Sequence, residues 1–125
     1  MTTIHANTCR DALSRLESMV AMANINLPER AVRQQITSAI AIVIQLSRMS
    51  DGSRRVVSVS EITGMDENVI SMHELFTFEK KGIGPNGMVV GRYQPTRIRP
   101  KFLERLRVSG IILAQDIFER AMDVN

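Results

Sequence analysis

From Arg10 onward, Ala12, Leu13, Leu16, Met19, Val20 and Ala23 recur at helical spacing, with Arg10, Ser14 and Glu17 on the opposite side. That pattern predicts an amphipathic helix. Asn7 and Thr8 precede it with side chains that accept from free N–H groups of a first turn, and Thr8-Cys9-Arg10-Asp11 has capping-box-like spacing. A break is expected at Asn24-Ile25-Asn26. Pro28 then stands where a proline opens a second helix, with Glu29 in its first turn and Ala31, Val32, Gln35, Ile36 and Ala39 on its inner face.

The period then changes. Ile40, Ala41, Ile42, Val43, Ile44 and Leu46 form a nearly continuous apolar run rich in β-branched residues, which predicts a central strand covered on both faces. Ser50-Asp51-Gly52-Ser53 is a turn signal, and residues 55–62 alternate, so a β-hairpin is expected. Thr63-Gly64-Met65-Asp66-Glu67-Asn68 turns the chain into a short strand at Val69-Ile70-Ser71-Met72. A loop leads to another strand at residues 88–93. Residues 100–107 predict a helix with Phe102, Leu103 and Leu106 inward, stopped by Gly110, and residues 115–122 a last one. At the other end, the β-branched Thr2-Thr3-Ile4 reads as the end of a strand. Together these elements predict an α/β chain that starts abruptly on a strand, with a preceding βαβ unit missing upstream.

Length and composition narrow the picture. The 125 residues, 44% of them hydrophobic, fit one domain, and no apolar run reaches the length of a bilayer span. The first residues have neither a basic region nor an apolar core of an export signal, so a cytoplasmic location is expected. A single cysteine, Cys9, excludes an internal disulfide, and with only His5 and His73 as imidazoles, at remote positions, no convincing zinc set is expected. The net charge of +3 rests mainly on arginine. Arg54-Arg55 and the trio Arg92, Arg97, Arg99 offer a nucleic-acid or lipid-headgroup patch, but one Tyr and no Trp accompany them for base stacking, so they are read as a solvated or subunit-facing surface, and nucleic acid is not an expected partner.

Gly82-Ile83-Gly84-Pro85-Asn86-Gly87 formally matches the spaced-glycine dinucleotide fingerprint. That chemistry needs a helix N-terminus directly after the glycines, whereas Pro85 and the β-prone Met88-Val89-Val90 predict a turn between strands. No GxxxxGK[ST] occurs, so the backbone cradle and lysine for β and γ phosphates are absent. His5, at the end of the first expected strand, stands where open α/β sheets gather ligand-contacting groups. Taken alone, it reads as a surface or capping residue.

The stretch Thr2-Thr3-Ile4-His5-Ala6-Asn7-Thr8-Cys9-Arg10-Asp11-Ala12-Leu13-Ser14-Arg15-Leu16-Glu17 resembles the His box and following helix of Tad/CpaF-type secretion and pilus-assembly ATPases. The similarity continues through Leu27-Pro28-Glu29-Arg30-Ala31, Asp51-Gly52-Ser53-Arg54-Arg55-Val56, Ser60-Glu61-Ile62-Thr63-Gly64-Met65 and Arg99-Pro100-Lys101-Phe102, so it covers essentially the whole chain. The resemblance implies the C-terminal portion of a RecA-like P-loop ATPase domain, residues 1–125, with added β-hairpins and C-terminal helices and without the P-loop half. It implies a motor that assembles as a homo-hexameric ring against an inner-membrane platform protein and couples Mg-ATP hydrolysis to Tad/Flp pilus assembly or secretion.

Within that resemblance, His5 is the His-box histidine, near the γ-phosphate, and Thr3 the threonine before it. Arg10 and Arg15 match arginines of the motif, facing either a phosphate or a neighbouring subunit. Cys9 stands where proline is common. The Walker A lysine and Walker B glutamate of the family precede the His box, so ATP and Mg belong to the complete enzyme and the chain alone is expected to be inactive. Two other classes stay open: an adaptor docking on a full-length secretion ATPase, and a small basic nucleic-acid binder. A severed α/β domain also predicts that the edge of its first strand is unpaired, that the apolar faces of Ile40 to Leu46 are partly uncovered, and that the chain alone is poorly soluble.

Overall fold

A computed structural model describes residues 1–23 and 26–124 of the chain. Regular structure begins at Thr8, whose hydroxyl accepts from the Asp11 N–H at 3.0 Å and opens helix α1 (Cys9–Ala23). Helix α2 (Glu29–Ala39) follows Pro28, which serves as its cap residue with φ −59° and ψ 145°. Asn24 and Ile25 of the expected break lie outside the described residues; Asn26 precedes α2 in a turn.

Five strands then follow in sequence order, β1 (Ile42–Arg48), β2 (Arg54–Asp66), β3 (Val69–Ile83), β4 (Val89–Pro95) and β5 (Met122–Val124), each antiparallel to its neighbour. Helix α3 (Phe102–Val108) and a 3₁₀ turn (Gln115–Phe118) lie between β4 and β5. The chain is thus mixed α and β, with an antiparallel sheet throughout its described residues.

Helices α1 and α2 cover one face of β1, β2 and the start of β3. Leu13, Val32, Ile36, Ile62 and Ile70 form the buried cluster, and Leu16, Val20, Leu27, Ile40, Val43 and Met72 pack around it. Each large apolar side chain buried there contributes about 1.5–3 kcal/mol against leaving it in water. Arg33 staples this layer: its Nε is 3.3 Å from Glu17 Oε2 on α1, and its Nη1 donates to the Asn68 carbonyl at the β2–β3 turn at 2.9 Å. On the other side, the Phe118 ring lies 5.6 Å from Phe76 and 6.4 Å from Phe102, holding the 3₁₀ turn and α3 against β3.

Several sequence expectations are corrected. Residues 2–4 are not a strand: they join no ladder. The apolar run at residues 40–46 becomes β1, an edge strand and not a central one. Val43 faces the helices while Ile44 and Leu46 remain 53% and 57% exposed. The strand covered on both faces is β2, where Ser60, Glu61 and Ile62 are buried in succession. Its hairpin partner β3 continues to Ile83, through the segment expected as a loop, and β2 runs on to Asp66 so that only Glu67 and Asn68 make the turn. Residues 115–122 form a 3₁₀ turn and the start of β5, not a helix. Helix α3 does end as expected: Gly110, at φ 82°, lets its own N–H reach the Arg107 carbonyl and the Ile111 N–H reach that of Leu106, a Schellman closure.

The β1–β2 turn is tied to the far side of the sheet by one carboxylate. Asp51 accepts from the Ser53 hydroxyl at 2.5 Å, the Ser53 N–H at 2.8 Å and the Val89 N–H at 2.6 Å, while Arg55 Nη2 donates to the Val89 carbonyl at 2.9 Å. The Ser53 hydroxyl first, then the two backbone donors, lower the Asp51 pKa from an ordinary 3.8 to about 2. A depressed folded-state pKa means that the carboxylate stabilises the fold above its unfolded pKa and loses that contribution as pH falls through the folded value. Asp51→Asn is therefore expected to melt below wild type at neutral pH, with the gap closing as pH falls from 3.8 toward about 2. Paired thermal melts across that window test it; a gap of constant size would remove Asp51 as the source.

Candidate functional site

The segment carrying His5 has no strand to hold it and is fixed instead by two side chains. Arg15, two turns into α1, donates from Nη1 to the His5 carbonyl at 3.0 Å, and Gln45 on β1 donates from Nε2 to the Ala6 carbonyl at 2.8 Å. Both contacts hold the backbone and leave the side chains of His5 and Thr3 exposed. Cys9, the first residue of α1, is buried, with Sγ 3.7 Å from both the Val43 carbonyl and Ser58 Oγ. The thiol thereby seats the start of α1 on β1 and β2, just beyond the His5 segment. Ser58 Oγ in turn donates to Glu74 Oε2 at 2.6 Å.

The four sequence-derived candidates fall into two places. His5, Thr3 and Arg15 belong to one locus, the extended segment and the helix flank that holds it. Arg10 points elsewhere: its Nη1 donates to the Ile70 carbonyl at 2.7 Å, and it lines a shallow cleft of about 590 Å³ with Asp66, Glu67, Val69, Ser71 and His73. Gln45 was not among the candidates, because a lone glutamine in an apolar run gives no sequence signal beyond its alternation.

The residues present do not by themselves fit a Mg-nucleotide. Among the described residues no group of His, Cys, Asp or Glu is arranged to hold a metal ion. The Gly82–Gly87 fingerprint is the β3–β4 hairpin loop, where the Gly84 N–H is spent on the Met88 carbonyl and the Gly87 N–H on that of Gly84. A strand and not a helix follows, so no helix N-terminus faces a pyrophosphate there. What the His5 locus offers is one wall: an exposed imidazole and hydroxyl on a backbone braced to α1 and β1. Among the described residues no helix is long and apolar enough to cross a membrane. No protein-family model matches the chain, and no curated protein matches it.

Proposed function

We propose that the chain is the C-terminal part of a Tad/CpaF-type secretion ATPase domain of RecA-like fold. In this reading it supplies the His-box wall and an antiparallel sheet extension, while polypeptide outside these residues supplies the P-loop half. The observation that carries the reading is β1. Its inner face is packed on α1 and α2, its outer face presents Ile44 and Leu46 half in water, and its outer edge has no strand partner among the described residues. An edge of that kind, apolar, unpaired and without proline, favours addition of a further strand. The His5 segment is braced on the same strand, β1, through Gln45. Mg and ATP belong to the completed domain, a homo-hexameric ring against an inner-membrane platform. There the His5 imidazole and the Thr3 hydroxyl would line the γ-phosphate side as hydrogen-bond donors to phosphate oxygens.

The test joins the P-loop half of a Tad/CpaF ATPase in frame ahead of Met1. The joined protein is expected to hydrolyse ATP, His5→Ala is expected to slow it about 100-fold with its melting temperature unchanged, and the 125-residue chain alone is expected to show no turnover. Turnover by the chain alone, or a folded and active joined protein indifferent to His5→Ala, sinks the reading.

A further inference from the structure

The net positive charge of the chain is concentrated in residues 97–107. Arg97, Arg99, Lys101, Arg105 and Arg107 fall within one short segment whose only acid is Glu104, so this segment alone exceeds the +3 of the whole chain and leaves the remainder slightly acidic. All five cations are exposed, and Arg99, Lys101 and Arg107 line a common cleft of about 350 Å³. Glu104 is engaged by Arg107 at 2.9 Å, which leaves the other cations without an ion-pair partner among the described residues.

The last residue of α3 and the residues directly after it carry exposed apolar side chains. Val108 and Ile112 are 82% and 84% exposed, and Ile111 between them is 50% exposed. The Schellman closure at Gly110 holds Ile111 and Ile112 directly beyond the last turn of α3. The base beneath is firm: α3 is clamped by Glu61 at its first N–H groups and by the Phe102–Phe118 contact.

We propose that this surface docks on an anionic lipid bilayer. Cations interleaved with protruding aliphatic side chains match the headgroup and acyl boundary of such a membrane, where each Lys or Arg near the surface adds attraction and the aliphatic groups leave water. Nucleic acid fits less well, because stacking needs exposed rings, and Phe102, Phe118 and Tyr93 are all turned into packed contacts. The proposal is independent of nucleotide chemistry and is measured without ATP.

Flotation of the purified 125-residue chain with vesicles separates lipid-bound protein from aggregate, which sinks. Binding is expected to phosphatidylcholine vesicles containing one third phosphatidylglycerol, not to pure phosphatidylcholine, and to fall as salt rises. Arg99→Gln/Lys101→Gln/Arg105→Gln is expected to lower the partition coefficient by roughly a hundredfold, about fivefold per cation. Ile111→Ser/Ile112→Ser should lower it about tenfold. All these side chains are exposed, so circular dichroism should be unchanged. Arg30→Gln/Arg48→Gln/Arg54→Gln removes the same charge from other exposed positions and should leave binding intact. Equal flotation with neutral vesicles, equal loss in the two triple variants, or tighter retention on duplex DNA than on anionic vesicles would overturn the proposal.

Discussion

Glu61→Ala is expected to destabilise the chain by about 3 kcal/mol and to lower its melting temperature by roughly 10 °C. Glu61 is 4% exposed, on β2 where both faces of the sheet are covered. Its two carboxylate oxygens are divided between two backbone donors, Lys101 N–H at 2.9 Å and Phe102 N–H at 3.2 Å, at the start of α3. Those donors have no partner within the helix, since the first turn of any helix leaves its N–H groups free. The carboxylate therefore does two things at once: it satisfies the end of α3, and it fixes α3 on the sheet. Alanine removes both acceptors and leaves a cavity beside the buried Pro100. Glu61→Gln keeps one acceptor and turns an amide toward a donor, so it should cost about half as much. The loss should be local, with hydrogen exchange accelerating across residues 101–118 before the core of α1, α2 and β2 responds. Equal and small effects of alanine and glutamine would mean that the Phe102–Phe118 contact alone holds α3.

This carboxylate also shows where sequence reasoning stops. The helices were legible because a period of three to four residues, a threonine cap, a proline start and a glycine stop are local properties, and α1, α2 and α3 appear within a residue or two of their expected places. Turns at Gly52 and at residues 84–87 were legible for the same reason. What an apolar run at residues 40–46 conveys is that both faces of a strand avoid water, not which neighbours cover them. β1 therefore appears as an edge strand with Ile44 and Leu46 half exposed, while the doubly covered β2 has a mixed sequence that includes Ser60 and Glu61. β3 was cut short because its register shifts, between Val59 and Ser60 against β2 and between Lys80 and Gly82 against β4, break the alternation that marks a strand. At the candidate site, His5, Thr3 and Arg15 were named through the resemblance of residues 2–17 to a His box, since periodicity alone leaves His5 a surface or capping residue. That Arg15 grips the His5 carbonyl while Arg10 turns away to Ile70 depends on tertiary placement.

Gly91→Ala is expected to cost about 3 kcal/mol, a large effect for one methyl group. Gly91 is buried on β4, paired with Lys80 at the irregularity where β3 shifts register before Gly82. Its backbone is not in the left-handed region, so alanine meets no conformational penalty and the obstacle is space alone. A Cβ there would press on the Glu79 carbonyl and stand 2.5 Å from Phe78 Cζ and 3.0 Å from Phe78 Cε2. The ring cannot simply withdraw. It packs on Tyr93 at 5.3 Å between centroids, and the Arg55 guanidinium lies 5.6 Å over its face while also holding the Val89 carbonyl. Moving Phe78 therefore disturbs the same corner that Asp51 and Arg55 tie together. Phe78→Leu in the Gly91→Ala background should restore only part of the loss, because a smaller side chain relieves the ring contact and leaves the carbonyl of Glu79 in place. The coupling between the two substitutions, read from a double-mutant cycle of thermal melts, measures that division. Full rescue would assign the whole effect to the ring, whereas a Gly91→Ala chain as stable as wild type would mean that β3 and β4 separate at this point with little loss.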